Sequence, residues 1–283
     1  MFKIIIVNNN AFIFVGDIHG LFREFVHEIV KKLNLKDYNI IICGDFGMGF
    51  HKPRYYNTEF KRINKLLRKN NIHIYAFRGN HDDPEYFYNE EILAIVMNGI
   101  TNIHLVNDYD ILKNDNHSIV CIGGARSVDK CRRWKWDHVT QTQKPYGWWE
   151  GEMIKDIPEG FNEFITENNI NIDIVCSHSS PDFCEPLSKS GLEFWAKYDE
   201  TVIEDCDKER ALLTSIYNRL KETNNIQYWF YGHFHAHYYL IKDDVVFRGL
   251  NMFDGVYKTD YYILGMVVHF LKKRDNIDVG SKI

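Results

Sequence analysis

Short apolar runs alternate with stretches of helical periodicity through the first half of the chain. The runs have the length of a buried strand, and the stretches between them repeat apolar side chains every three or four residues, as an amphipathic helix does. The predicted strands are Phe2–Val7, Ala11–Val15, Asn39–Cys43 and Ile72–Phe77, and the predicted helices are Leu21–Leu35 and Asn57–Lys69. This alternation predicts an α/β protein with helices packed on the faces of a sheet.

The second half of the chain keeps the strands but separates them by longer connections. The predicted strands are His117–Ile122, Ile172–Cys176, Gln227–Tyr231, Val245–Arg248 and Tyr261–Leu271, and the predicted helices are Phe161–Asn168 and Lys208–Thr223. Segments 126–153 and 181–207 lack a clear period and are predicted to be functional loop insertions, because long structureless connections are uncommon in a compact domain. No linker divides the chain, so residues 1–283 are predicted to form a single domain.

Five short polar motifs each follow a predicted strand directly. They are Gly16-Asp17-Ile18-His19-Gly20, Gly44-Asp45, Gly79-Asn80-His81-Asp82, Ser177-His178 and Gly232-His233-Phe234-His235. Ligands of open α/β sheets bind at the carboxyl ends of the strands, where loops converge on a rigid base. We therefore expect the five motifs to meet at one edge.

Seven side chains in these motifs have the chemistry of metal ligands. They are Asp17, His19, Asp45, Asn80, His178, His233 and His235. Carboxylate, carboxamide and imidazole groups without a thiolate suit Mn²⁺, Fe or Zn²⁺ in a reactive centre better than they suit a structural zinc. Seven protein ligands exceed the need of one ion with an open position, but they suit two ions about 3.5 to 4 Å apart that share a carboxylate. The sequence therefore predicts two divalent ions, with manganese preferred and iron or zinc as alternatives.

In this order the five motifs resemble those of the calcineurin-like metallophosphoesterase superfamily. The resemblance extends from residue 16 to residue 235, and it implies a four-layer αββα sandwich with two central mixed sheets flanked by helices. It also implies that Asp45 bridges two ions. It assigns the other ligands as Asp17, His19 and His235 to one ion, and Asn80, His178 and His233 to the other.

The resemblance implies hydrolysis of a phosphate ester by a hydroxide that bridges the two metals. His81 matches the family's remaining essential histidine, which contacts the phosphate and can protonate the leaving oxygen; imidazole suits this role because its pKa lies near neutrality. Our preferred substrate class is a phosphodiester or a nucleotide phosphate. Two alternatives stay open: a phosphomonoesterase acting on proteins or small metabolites, and a catalytically silent binding protein of the same fold.

The second motif departs from the pattern of the protein Ser/Thr phosphatases in this superfamily. Those enzymes continue it as Gly-Asp-x-x-Asp-Arg-Gly, whereas this chain has Met48 and Gly49 where the histidine-orienting aspartate and the phosphate-binding arginine would stand. The departure argues against a typical phosphoprotein phosphatase. It also leaves open which residue orients His81.

Two basic segments are candidates for substrate recognition. Segment 52–69 holds seven Lys or Arg and one acid, and segment 130–149 interleaves basic residues with four of the six tryptophans. Cations meet phosphates and aromatic faces stack on bases, so a nucleotide or single-stranded nucleic acid is a candidate substrate, although solvated surface is the alternative for both segments. Arg126 and His237 are the predicted substrate contacts outside the metal ligands.

Composition narrows the class of protein further. With 283 residues, 45% of them hydrophobic, and a formal charge of −5, the chain is neither disordered nor a histone-like polycation. Six cysteines without a Cys-x-x-Cys pair favour small buried side chains in a reducing compartment. The sequence has no long apolar run and no signal-peptide pattern, which predicts a cytoplasmic protein that makes no membrane contact. No obligate protein partner is evident from the sequence.

Overall fold

The fold is described from a computed structural model, which covers residues 2–133, 147–253 and, by backbone alone, 261–264. The strands are β1 (Ile4–Ile6), β2 (Ala11–Val15), β3 (Tyr38–Ile42), β4 (His73–Phe77), β5 (Ile103–Val106), β6 (Ile111–Lys113), β7 (Ser118–Ile122), β8 (Ile174–Ser177), β9 (Tyr228–Tyr231), β10 (Tyr238–Lys242), β11 (Val245–Gly249) and β12 (Tyr261–Leu264). The helices are α1 (Phe22–His27), which continues as a π-helical segment (Glu28–Lys32), α2 (Pro53–Lys69), α3 (Glu85–Tyr88), α4 (Glu90–Val96), α5 (Phe161–Glu167), α6 (Ser190–Trp195) and α7 (Val202–Thr223).

Five strands form the first sheet, in the order β12-β2-β3-β4-β5. Strands β2 to β5 run parallel, and β12 pairs antiparallel with β2 at the edge. Val15 pairs with Ile42, and Ile42 pairs with Ala76, so β2, β3 and β4 end nearly level. The loops that follow these strands therefore start side by side.

Seven strands form the second sheet, in the order β1-β6-β7-β8-β9-β11-β10. Strands β7, β8, β9 and β11 run parallel to one another, and β1 pairs parallel with β6. Strand β6 pairs antiparallel with β7, and β10 pairs antiparallel with β11. Ser177 pairs with Tyr231, so β8 and β9 also end level. This sheet is mixed, as is the first.

The two sheets pack face to face and carry helices on their outer faces. Apolar side chains from both sheets fill the space between them, and the rings of Phe14 and Phe230 stack with centroids 3.9 Å apart. Helices α1, α2 and α4 cover the first sheet, with Phe60 of α2 fully buried, and α5 and α7 cover the second, with Phe161 and Leu213 fully buried. The four-layer αββα sandwich with two mixed sheets is therefore confirmed.

Each predicted strand is present with its ends within two residues of the prediction, except that the end of the last one, 265–271, lies outside the described residues. The predicted helix Leu21–Leu35 is α-helical over Phe22–His27 and continues as a π-helical segment that ends at Lys32. Helices α3, α4 and α6 and strands β5, β6 and β10 were not predicted. Most of these are too short to display a period, and the β10–β11 turn is Asp243-Asp244, two non-glycine residues with positive φ.

The two predicted loop insertions have different outcomes. Segment 181–207 is not structureless, because it contains α6 and the first residues of α7. The middle of the other, residues 134–146, lies outside the described residues. All six cysteines are free, and four of them are buried, as expected for small apolar side chains. Among the described helices, none has the length and apolar character needed to cross a bilayer.

Candidate metal centre

The five polar motifs converge where the two sheets meet. The loops after β2, β3 and β4 leave the first sheet, and the loops after β8 and β9 leave the second. The backbone N–H of His233 donates to Asp17 Oδ1 over 3.0 Å and so joins a loop of one sheet to a loop of the other. The predicted convergence is confirmed, but both sheets contribute to it, which the sequence did not indicate.

A first group of donor atoms surrounds the carboxylate of Asp17. One ligand atom from each of Asp17, His19, Asp45 and His235 lies within 4.8 Å of the others. His235 Nε2 is 2.9 Å from Asp17 Oδ2 and 3.2 Å from His19 Nε2. Asp17 Oδ2 is buried, and within the described part of the chain it accepts no well-aligned hydrogen bond. A buried carboxylate oxygen whose close neighbours are imidazole nitrogens of other candidate ligands fits a cation held among them.

A second group of donor atoms surrounds the side-chain amide of Asn80. Asn80 Oδ1 lies 2.9 Å from His178 Nε2 and 3.1 Å from His233 Nδ1. The other ring nitrogen of His178 faces the Cys43 carbonyl at 2.8 Å, which leaves Nε2 directed into the group. The Asn80 amide nitrogen donates to Ser127 Oγ, and this bond turns Oδ1 toward the two histidines.

Asp45 lies between the two groups. Its Oδ1 is 3.3 Å from His178 Nε2, and its Oδ2 is 3.9 Å from His19 Nε2. Oδ1 also accepts the backbone N–H of His81 over 2.8 Å. The backbone of Asp45 has a positive φ of 47°, an uncommon conformation for residues other than glycine that aspartate tolerates better than most.

Glycines allow the loops to approach this closely. A Cβ atom on Gly44 would lie 2.2 Å from His178 Nδ1, and one on Gly79 would lie 2.1 Å from Asp45 Oδ1. Neither distance leaves room for a side chain, and Gly44 also has a positive φ of 86°. The two glycines are therefore required by the packing of the loops against the candidate ligands.

The two buried carboxylates are ionised despite their burial. Burial raises the pKa of Asp45, but the nearby histidines, His178 foremost, outweigh burial and hold that pKa well below its usual value. The pKa of Asp17 is lowered in the same way, against the effect of burial, chiefly by His235. Conversely, burial lowers the pKa of His178, but Asp45 and Asp17 outweigh it and raise that pKa to about 10. Buried negative charge of this kind attracts cations.

His81 lies next to the first group but is not part of either one. Its ring centroid is 5.1 Å from that of His19, and its Nδ1 is 3.4 Å from Arg133 Nη1. Burial, with the charges of Arg133 and His19, lowers the pKa of His81 to about 4. The ring is thus a neutral imidazole between a candidate metal ligand and a buried arginine.

Asp82 connects two loops of the candidate site, a role that the sequence did not indicate. Its carboxylate is buried and accepts four backbone N–H groups, from Phe46, Gly47, Met48 and Gly79. Burial and the charge of Asp45 raise its pKa to about 6. Asp82 therefore ties the Gly44-Asp45 loop to the Gly79-Asn80 loop and sets the positions of the candidate ligands that they carry. Its place at the end of the Gly-Asn-His-Asp motif was the available signal.

We expect Asp82→Ala to lower the free energy of unfolding by roughly 3–5 kcal/mol, because it leaves several buried N–H groups without an acceptor. Denaturant unfolding of the purified variant measures this loss. Asp83→Ala is the matched control, since Asp83 accepts a hydrogen bond from one described backbone N–H, that of Glu85, and its removal should cost less than ~1.5 kcal/mol. Equal losses in the two variants would show that Asp82 does not hold the loops.

A series of buried hydrogen bonds holds Asn80, the central residue of the second group, in place. Ser127 Oγ, which accepts from Asn80, donates to Glu152 Oε2 over 2.5 Å. Arg78 is buried and pairs with Asp108, and its guanidinium also donates to the backbone carbonyls of residues 151–153. These contacts anchor segment 147–153 to the end of β4, so part of the predicted loop insertion is fixed beside the site.

The two predicted substrate contacts are not supported by their surroundings. Arg126 is buried, and its guanidinium is already engaged by Asp199, Asp205 and the Ser127 carbonyl. His237 was expected to share a strand face with His235. However, β10 begins after it, at Tyr238, and the positive φ of His233 and His235 interrupts the alternation of an extended strand.

The comparisons with known proteins agree with this fold. The family model described as calcineurin-like phosphoesterase matches residues 11–237, which is most of the chain. The chain therefore belongs to the calcineurin-like phosphoesterase family, whose members hydrolyse phosphate esters and depend on metal ions. The match covers all five motifs. No curated protein sequence matches the chain.

Among solved structures, a Thermus thermophilus protein shares 12% identity with this chain, at a TM-score of 0.51, over 87% of this chain and 90% of its own. A phosphopantetheinyl hydrolase from Mycobacterium tuberculosis shares 15% identity, at a TM-score of 0.41, over 86% of this chain and 89% of its own. An archaeal phosphodiesterase shares 13% identity, at a TM-score of 0.36, over 90% of this chain and 98% of its own. At 12% identity the likeness to the Thermus thermophilus protein concerns the fold alone.

Proposed function

We propose that this protein is a dinuclear metal-dependent phosphoesterase that acts on a phosphodiester or a nucleotide phosphate. The observation that carries the proposal is the position of Asp45, with one carboxylate oxygen toward His178 and the other toward His19. A carboxylate in that position suits two cations that share it. Membership of the family supports the same chemistry.

The donor atoms fit two divalent ions. Asp17, His19 and His235 would hold one ion, Asn80, His178 and His233 would hold the other, and Asp45 would contact both. Oxygen and imidazole donors in roughly equal number suit Mn²⁺ first, with iron and zinc as alternatives. The buried Asp17 Oδ2, which lacks a well-aligned hydrogen bond within the described residues, is the structural feature that a cation would satisfy. When bound, such cations neutralise phosphate oxygens and lower the pKa of a water molecule.

The protein's own side chains provide positioning around this centre. Asn80 is oriented by Ser127, and His178 by the Cys43 carbonyl, so both present a donor atom without further rearrangement. His81 is held by its backbone N–H to Asp45, with its ring beside His19. We infer that a substrate phosphate meets His81 at this place, and that the imidazole donates a hydrogen bond to a phosphate or leaving-group oxygen.

Aromatic and basic side chains near the site favour a nucleotide or diester substrate. In segment 130–149, Lys130 Nζ lies 4.6 Å from the centroid of the Trp148 ring. Arg133 of the same segment contacts His81. Indole faces stack on nucleobases and cations meet phosphates. The protein Ser/Thr phosphatase pattern is absent from the Gly44-Asp45 loop, where Met48 is buried and Gly49 has no side chain.

The substrate class is tested by the hydrolysis of bis-(p-nitrophenyl) phosphate and p-nitrophenyl phosphate with added Mn²⁺. We expect kcat/KM for the diester to exceed that for the monoester by ~10-fold or more. The reverse preference would assign a phosphomonoesterase. If the purified protein binds no transition metal and hydrolyses neither ester with Mn²⁺, it is a binding protein of the same fold.

A further inference from the structure

Arg133 is a buried arginine beside His81 that no sequence motif indicated. It comes ten residues after Gly123, in segment 126–133, and only 5% of it is exposed. Its Nε donates to Asp129 Oδ1 over 2.8 Å, and its Nη1 is 3.3 Å from the Gly147 carbonyl and 3.4 Å from His81 Nδ1. The contacts with Asp129 and the Gly147 carbonyl hold the planar guanidinium and so determine where Nη1 lies.

The surroundings of His81 contain no carboxylate bonded to its ring among the described residues. Protein Ser/Thr phosphatases of the superfamily have the orienting aspartate at the place of Met48, which in this chain is buried and whose backbone N–H donates to Asp82. Asp45 binds the backbone N–H of His81 and not its ring. Among the described residues, the side-chain hydrogen bond to the His81 ring comes from Arg133.

We propose that Arg133 is a positioning residue that orients His81 and places the imidazole proton on Nε2; this rests on the proposed phosphoesterase function. Arginine can only donate hydrogen bonds, so Nδ1 of His81 must accept. A neutral imidazole that accepts at Nδ1 carries its proton at Nε2. His81 then presents a fixed N–H donor to a phosphate or leaving-group oxygen.

The two possible partners of this histidine have opposite consequences. An aspartate at Nδ1 would place the proton at Nδ1 and leave Nε2 as an acceptor while the ring is neutral. An arginine at Nδ1 makes Nε2 a donor without a second proton. An arginine in place of an aspartate therefore changes how the histidine assists catalysis. With Arg133 at Nδ1, His81 acts as an aligned neutral donor.

A double-mutant cycle tests this proposal, with kcat and KM measured for bis-(p-nitrophenyl) phosphate in the presence of Mn²⁺. We expect Arg133→Ala to lower kcat by ~10- to 30-fold and to change KM by less than ~3-fold, because the transition state loses an aligned donor. In the His81→Ala background the same substitution should have no further effect on kcat. Independent losses that multiply, or a large rise in KM alone, would overturn the proposal in favour of direct substrate contact.

A spectroscopic readout separates this role from a structural one. In zinc-loaded, ¹⁵N-histidine-labelled protein, the signals absent from His81→Ala identify His81, and we expect them to show a proton on Nε2 and none on Nδ1. Arg133→Ala should yield a tautomer mixture, and Arg133→Lys, which keeps a donor, should restore part of the preference and of kcat. A single Nδ1–H tautomer in the unmodified protein would overturn the proposal.

Arg219→Ala is the matched control, because Arg219 of α7 forms an ion pair with Asp156 at the surface. Metal content and thermal unfolding of each variant show whether it folds. If neither the unmodified protein nor the control hydrolyses phosphate esters, the proposed function fails, while the nitrogen signals still test the pairing. If both are active and Arg133→Ala equals them in kcat and in its nitrogen signals, the inference alone fails.

Discussion

Replacing Asp45 by asparagine is expected to lower kcat/KM for phosphodiester hydrolysis by ~10³-fold or more. Asparagine has nearly the same shape and keeps one oxygen, so the hydrogen bond from the His81 backbone N–H can persist. It loses the negative charge and one of the two oxygens that face His178 and His19. The substitution therefore tests the negative charge of Asp45 while leaving its structural contact in place.

Elemental analysis after purification in the presence of Mn²⁺ should find less metal in Asp45→Asn than in the unmodified protein. Asp115→Asn is the matched control, because Asp115 is exposed in the turn between β6 and β7 and the substitution there should change neither metal content nor rate. Full activity and full metal content in Asp45→Asn would show that Asp45 does not bridge two ions.

The fold was largely predictable because its buried strands are short apolar runs that follow one another in a regular order. Ile40, Ile41 and Ile42, for example, are all fully buried in β3, and such a run predicts a strand covered on both faces. The pairing of strands was not predictable. Residues 2–7 and 11–15 are neighbours in the sequence, but β1 and β2 belong to different sheets.

The candidate ligands were predictable because each one directly follows a strand, and the ends of neighbouring parallel strands lie level. The groups that hold the ligands were not. Arg126 and Arg133 are seven residues apart in one segment, and the sequence singled out Arg126 alone. Their surroundings differ, because Asp199 and Asp205, far along the chain, engage Arg126, whereas Arg133 faces His81. Pairings over 50 to 80 residues leave no local pattern.

The electrostatics of the site follow from the same convergence. Each loop contributes its own polar group, and the glycines let these groups approach closely. Because histidines lie beside them, Asp17 and Asp45 are ionised although both are buried. His178 is protonated in that field and its pKa is about 10. A metal ion would take the place of that proton, because imidazole binds metals in its neutral form. Metal affinity is therefore expected to increase with pH.

Replacing His81 by alanine is expected to lower kcat by ~10²- to 10³-fold while leaving the metal content unchanged. The imidazole lies beside His19 but belongs to neither group of candidate ligands, and its backbone N–H, which alanine keeps, makes the contact with Asp45. The loss should therefore fall on the transition state and not on metal binding. Steady-state kinetics and elemental analysis of the same preparation measure the two effects together.

His27→Ala is the matched control, because His27 is an exposed histidine on α1 whose replacement should change neither quantity. The comparison decides the role of His81 in either direction. If His81→Ala empties the site, His81 is a metal ligand and the assignment of ligands must be revised. If it keeps both its metal and its full rate, no hydrogen bond from His81 assists the reaction. Loss of rate with metal retained is the outcome that a side chain acting on the phosphate requires.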